Sequence, residues 1–566
     1  MDQRLQLTKI RLQNLRRPQT LFETAVEVFV RIVESAVHEE DEAKKETVYL
    51  PDHALQMILD RLMSKKSMNG EENYDKFEIR LSYFINLINP FTREIDLSNF
   101  MTFCPDLLKA QQISRVLHMI ATFATKITSL TFKKKDIWFP SSFFLSQNAI
   151  EGICRMTTLQ KLEINECSIQ FSTLKHVCES LPNLNHVDVN MANNGEEEYY
   201  SFSDADFQRS FSRLKVFIFR KNYCRFTQRC IRLLPSLEIV SNSANDLLSL
   251  GGYLLPPEPP LAPSALRHLC VDVAKIQPGQ LTWFPNVTHL KIQFEENQSR
   301  STPSHATLED LLRFKKIKSL FLLSCPAADI LDRFLKQYGG HLHSLCVHSS
   351  VRRCLNYSFR NIFKACPNLE TLMVLLGVQM ADAKLDFFAK LKHLQWFDGY
   401  DYYETRQAAQ MQPRSVRLSN ILSAPLLQNF EMVDFRNNLE ELKLVSSLIA
   451  EKKILNNLST FRYISRRDSS HDAFSVALSE LTKNASAFLP KLIRLETSLN
   501  APGPFLSQHH ALAHNIGPFV TLLKIHESQV TTPWIVDCNI EEGATRIQSP
   551  PRLTSPIFSS ILREKM

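Results

Sequence analysis

The amino-acid sequence predicts an α/β solenoid, an arc or horseshoe of stacked strand-and-return units, preceded by a small all-α region. Three observations lead there. A pattern of apolar residues at i, i+3 and i+5 recurs along most of the chain, which marks a repeat architecture. The chain has 566 residues, more than one compact core organises, so several domains or one elongated array is required. Residues 1–90 instead carry the 3.6-residue apolar period of helices.

The first helical stretch is "TLFETAVEVFVRIVESAV", from Thr20. Thr20 and Glu23 form a capping box, in which hydroxyl and carboxylate satisfy orphan amides of the first turn, and Pro18 precedes them as a helix start favours. Leu21, Ala25, Val28, Phe29, Ile32 and Ala36 then recur at helical spacing along one stripe, while Glu23, Glu27, Arg31 and Glu34 lie off it. This predicts a helix over 20–37. A second follows over 50–63, "YLPDHALQMILDRLM", where Leu50 and Pro51 lead into Asp52 as N-cap. Such apolar faces either cap the open end of an array or dock a partner.

The repeats occupy 91–502. Strong copies begin at Ile127 ("ITSLTF"), Leu159, Leu184, Leu214, Leu266, Val287, Ile317, Leu342, Leu369, Leu427, Leu458 and Leu492. With weaker copies at Leu237 and Leu394, successive starts lie 21 to 34 residues apart. In "KACPNLETLMV", "ESLPNLNHVDV" and "WFPNVTHLKI" a Pro-Asn turn separates an amphipathic segment from the strand. The pattern resembles the leucine-rich repeat, and the length of each unit resembles the helix-backed class found in F-box and ribonuclease-inhibitor-like proteins. That resemblance implies one short parallel strand per copy and a helix or irregular return. The prolines of "PPEPPLAP" (Pro256 to Pro263) predict a loop within the array, and "LEELKL" at Leu439 is an extra near-copy whose register the pattern leaves open.

From 503 to 566 the pattern is lost, and the Ser- and Pro-rich end predicts an irregular or disordered segment. The net charge of +7 is small for the length and gives a nucleic-acid role no support. Neither a signal-peptide core nor a run of roughly 18 apolar residues occurs, so no membrane span and a cytoplasmic or nuclear location are expected. The 12 cysteines include no CxxC pair. Cys154, Cys178 and Cys366 border or lie in apolar runs, as reduced core thiols do.

Catalytic signatures are missing. With 13 glycines the chain has no GxxxxGK[ST] or GxGxxG cradle for phosphates and no GxSxG elbow. "HALAH" (His510 to His514) has zinc-helix spacing but Ala511 where a general base would stand, so no metal and no cofactor are expected. What remains is a binding surface. Residues between the strand leucines line the face where solenoids bind, and His186, Asp188, His289 and Lys291 are its polar candidates. Phe321, Leu323, Met373 and Leu375 are apolar candidates that together suit a protein ligand.

The N-terminal helices add a resemblance. Thr20, Leu21, Ala25 and Phe29 fill a pattern that resembles the BC box by which substrate receptors bind Elongin C, with Ala25 where that family most often has Cys. Leu50, Pro51, Ala54 and Ile58 resemble a cullin box. Their order ahead of leucine-rich repeats resembles the VHL-box type of substrate receptor. "LPDHALQMILDRL" also resembles the first helix of an F-box, although no Trp follows before Trp138. The resemblance implies a non-catalytic substrate-recognition subunit of a cullin-RING ubiquitin ligase, with Elongin B/C and a cullin, or a Skp-type adaptor, as partners and a protein as substrate. A leucine-rich-repeat scaffold or inhibitor, with helices that merely cap the array, is the alternative.

Overall fold

The computed structural model describes Val28 and residues 52–64, 74–133, 143–192, 202–219, 224–242, 255–294, 305–349, 355–374, 378–381, 389–398, 418–434, 439–465 and 472–499. The chain divides into two units, Met1–Gln529 and Val530–Met566, and the described residues all fall in the first.

Two helices begin it, α1 (Asp52–Ser64) and α2 (Tyr74–Leu87). Six strands then pair in parallel and in sequence order: β1 (Glu94–Asp96), β2 (Ser129–Phe132), β3 (Lys161–Ile169), β4 (His186–Met191), β5 (Val216–Phe219) and β6 (Ile239–Asn242). A second parallel sheet of nine strands follows, made of β7 (His268–Asp272), β8 (His289–Gln293), β9 (Ser319–Leu323), β10 (Ser344–Val347), β12 (Thr371–Val374), β14 (His393–Asp398), β15 (Asn429–Asp434), β16 (Thr460–Ser465) and β17 (Arg494–Leu499). β11 (Leu355–Ser358) and β13 (Val378–Ala381) pair separately. Most connections carry a short helix, several started by a serine cap, as where Ser146 Oγ accepts from Ala149 N at 3.2 Å.

The i+3 residue of each copy fills one buried row. Ile95, Leu130, Leu162, Val187, Phe217 and Val240 lie in register across the first sheet, and Leu269, Leu290, Leu320, Leu345, Leu372 and Leu394 across the second. All belong to one continuous core that runs from Ile58 to Leu489. Burying such a side chain contributes about 2 kcal/mol, and stacking lets each copy bury a row that it could not bury alone.

Two rails of hydrogen bonds run beside this row. In the first, the amide preceding each strand donates to the same position of the copy before, from Thr128 N on Arg93 O at 2.7 Å to Ile493 N on Ser459 O at 2.8 Å. It crosses the interruption between the sheets, where Arg267 N donates to Glu238 O at 2.8 Å, so the sheets form a single stack. The second rail explains the Pro-Asn turns. Asn183 Nδ2 donates to Thr157 O at 3.0 Å, Asn368 Nδ2 to Gly340 O at 2.8 Å and Asn457 Nδ2 to Pro425 O at 2.8 Å. Two of the amide oxygens meet the following copy, where Lys390 Nζ donates to Asn368 Oδ1 and Lys491 Nζ to Asn457 Oδ1, each at 2.6 Å. Asn368→Ala is therefore expected to cost about 1 kcal/mol, the net worth of such bonds. Urea unfolding followed by circular dichroism measures it, and an unchanged midpoint would contradict the role.

The structure revises three details of the pattern. Leu439 opens a helix, Leu439–Ala450, and is not a strand copy. The copy assigned to Leu394 starts at Leu391, with Leu394 and Trp396 as its second and third apolar positions, all buried. An earlier copy precedes Ile127. It holds β1, where buried Thr92 stands in the first apolar position.

α1 and α2 close the start of the stack. Ala54, Ile58, Leu59, Leu62 and Met63 fall on one side of α1 and are buried, as are Phe77, Leu81 and Phe84 of α2. Phe100 packs against both Phe77 and Phe84, with ring centroids 5.4 Å apart in each case. Gln56 Nε2 donates to Glu94 O at 3.0 Å, meeting a main-chain acceptor of the edge strand β1.

Candidate protein-interaction face

Because strand side chains alternate, the residues between the buried row positions emerge on the opposite, front face of the sheets. On the first sheet this places Thr131, Glu163 and Asp188 in one register line and Ser129, Lys161 and His186 in the next. Lys133, just past β2, reaches across them. Its Nζ is 2.7 Å from Glu163 Oε1 and 3.0 Å from Asp188 Oδ2. Lys161 Nζ stands 3.2 Å from Glu163 Oε2, Thr131 Oγ1 donates to that same oxygen at 3.1 Å, and His186 Nε2 lies 3.3 Å from Glu163 Oε1. Glu163 and Asp188 are each 5 % exposed.

This arrangement sets the charge states. Burial would push the Glu163 carboxyl up, but contact with His186 and the charges of Lys133 and Lys161 outweigh it and hold the group well below the usual carboxylate range. Burial would likewise lower Lys133, and the charges of Asp188 and Glu163 raise it instead. A folded-state carboxylate held low binds fewer protons than its unfolded counterpart, so its contribution is complete above the unfolded value of about 4.3 and fades as pH falls below it. Acid titration of the thermal midpoint is therefore expected to be steeper between about pH 4.5 and 2.5 for the native chain than for Glu163→Gln. Parallel curves would contradict it.

Further along the front face, His289 stacks on His268 with centroids 4.0 Å apart, and Lys291 follows on the same strand. The central line then runs Lys291, Phe321, Cys346, Met373, Gln395, Glu431 and Arg462. Its far end is polar: Gln395 Nε2 donates to Glu431 Oε2 at 3.1 Å, and Arg462 pairs with Glu431.

The expected site residues are distributed unevenly. His186 and Asp188 come together with Glu163, and Lys133 is the partner that sequence did not place with them. The run of lysines after "LTF" is the one trace Lys133 leaves in the sequence. The apolar candidates need correction. Phe321, Leu323 and Met373 lie on the front face as expected but are only 0 %, 1 % and 4 % exposed, so they do not present an apolar surface. Ala54 and Ile58 of the cullin-box-like pattern are 2 % and 3 % exposed and face this chain's own interior, which leaves them no area for a partner. Thr20, Leu21, Ala25, Phe29, Leu50, Pro51 and Leu375 lie outside the described residues. Val28, on the same predicted stripe as Leu21, is helical and 49 % exposed.

Among the described residues no group of three or more His, Cys, Asp or Glu is placed to hold a metal ion, and no helix is long and apolar enough to cross a membrane. Burial pushes the Cys178, Cys325 and Cys366 thiols up to about 12, far from the range of a nucleophile.

Parallel strands in register, helical returns, a single apolar row and an asparagine rail define an α/β leucine-rich-repeat solenoid. No family model matches the sequence, and no curated protein sequence matches it. Solved structures with leucine-rich repeats are similar to it at a distance. Rad7, from the yeast complex of Rad7 and Elc1, is 12 % identical over 69 % of this chain and 97 % of that one, with a TM-score of 0.33. TLR13, from its complex with ssRNA13, is 14 % identical over 74 % of this chain and 57 % of that one, with a TM-score of 0.28. The internalin InlF of Listeria monocytogenes is 13 % identical over 75 % of this chain and 94 % of that one, with a TM-score of 0.23.

Proposed function

We propose that the protein is the non-catalytic substrate-recognition subunit of a cullin-RING ubiquitin ligase, holding an Elongin-type adaptor by the helix over 20–37 and a protein substrate on the front face of the repeats. One observation carries it. The open end of the stack is already covered by α1 and α2, whose apolar side chains are spent on the chain's own core. The amphipathic helix predicted ahead of them then has no end left to cap, and the one described residue of its stripe, Val28, is 49 % exposed, which suits a partner-facing role.

The same burial supports the Elongin form over the F-box form. A Skp-type adaptor would have to take the face of α1 that Ile58 and Leu62 commit to the interior. In this role Leu21 anchors the adaptor, and recognition raises the effective concentration of substrate lysines near the conjugating enzyme. No side chain of this protein performs the transfer.

Capture of the full chain from cells tests the proposal. Recovery of Elongin B and C supports it, a Skp-type adaptor in their place supports the F-box form, and neither leaves a scaffold or inhibitor without a ligase role. Leu21→Ser is expected to lower adaptor recovery at least tenfold, as loss of a buried anchor does, with an unchanged thermal midpoint. A lowered midpoint would instead make the 20–37 helix part of the fold.

A further inference from the structure

We infer that the segment around Val520 to Ile525 is one more copy of the repeat, whose strand pairs with the outer edge of β17 and closes the far end of the stack. That end is open among the described residues. β17 stands at the edge of its sheet and pairs there with β16 alone. In the two copies before it, Leu427, Phe430, Leu458 and Phe461 are each 0 % exposed. In the β17 copy the matching residues Leu492 and Leu495 are only partly buried, and Ile493 between them is 50 % exposed. A strand edge beside a half-covered apolar row is a template for a further strand.

The chain itself carries a segment of the right kind. "VTLLKI" (Val520 to Ile525) repeats "VTHLKI" (Val287 to Ile292) at five of six positions and keeps the apolar spacing in Val520, Leu523 and Ile525. Pro518 stands two residues ahead of Val520, as Pro182, Pro235, Pro285, Pro367, Pro425 and Pro490 stand ahead of the first apolar residue of their own copies. Val520 follows Leu492 by 28 residues, within the 21 to 34 that separate the other copies. Gly517 is a departure, since Leu181, Phe284 and Leu489 precede their prolines as buried apolar residues. Copies that close an array are atypical in this way. The loss of pattern from 503 onward is thus interrupted at 520–525.

The register of the sheet fixes what the added strand would meet. Phe461 lies opposite Leu495 and Arg462 opposite Glu496, so the next strand in the same register sets Leu523 opposite Leu495 and Lys524 opposite Glu496. Leu523 then completes the apolar row that Leu495 leaves half covered. The central front-face line continues as Glu431, Arg462, Glu496 and Lys524, an alternation of charge that favours neighbouring strands in this order. Thr521 N would donate to Ile493 O, carrying the main-chain rail one copy beyond the bond from Ile493 N to Ser459 O.

Hydrogen–deuterium exchange of the full chain tests it. Peptides covering 494–499 and 522–526 are both expected to exchange at least tenfold more slowly than an unstructured chain of the same sequence. Leu523→Asp puts a charge into the row and is expected to return 522–526 to the unstructured rate and to speed 494–499 at least tenfold, with 344–347 unchanged. If that variant unfolds the array, Leu523→Ala makes the same comparison. Exchange of 522–526 at the unstructured rate in the native chain, or indifference of 494–499 to the Leu523 variants, overturns the inference. Protection of 494–499 that rises with protein concentration would give the edge to a second copy of the chain and overturn it as well.

Discussion

Lys133→Ala is expected to destabilise the protein by about 3 kcal/mol, more than any ordinary surface lysine. The side chain bridges Glu163 and Asp188, whose carboxylates are buried, and its removal leaves two like charges facing each other with reduced access to water. Lys161 and His186 compensate only on the Glu163 side. The decisive comparison is with Lys133→Met combined with Glu163→Gln and Asp188→Asn. With no charge left buried, that chain is expected to recover most of the loss. Urea midpoints of the two variants measure this, and equal destabilisation in both would mean that packing rather than charge is at stake.

Phe100→Ala is the second large effect. Phe100 is fully buried between Phe77 and Phe84, and truncating such a ring costs about 3–5 kcal/mol. In a solenoid each unit leans mainly on its neighbours, so the damage is expected to stay near the start of the stack. Peptides covering 94–96 and 129–132 should lose exchange protection while 429–434 keeps it. Uniform loss along the chain would show that the helical cap governs the whole array.

The strands were legible because a short half-buried strand leaves a strict apolar spacing, and stacking forces every copy to keep it. The misreadings share one physical origin. Thr92 fills an apolar slot through its methyl group and closes its hydroxyl locally, so the first copy escaped a pattern of hydrocarbon residues; Leu439 fits that pattern equally well as part of a helix. Spacing also tells which face a residue joins but not what covers that face. Phe321 and Met373 were assigned to the correct side without their burial, and the stripe of α1 reads the same whether it meets this protein's core or another's. The network around Lys133 was illegible because its partners are 30 and 55 positions away, at Glu163 and Asp188.

The paired rails have a mechanical consequence. Like the stringers of a ladder, the main-chain rail and the asparagine rail resist shear between copies only where both are present and short. Beside the junction of the two sheets, between the copies of β7 and β8, the asparagine link is Asn286 Nδ2 to Ser264 O, at 3.5 Å the longest of those named. A load drawn along the array, as when a bound protein is extracted from it, would therefore concentrate strain at that link. The protein would part there into two stiff halves before either half unravelled.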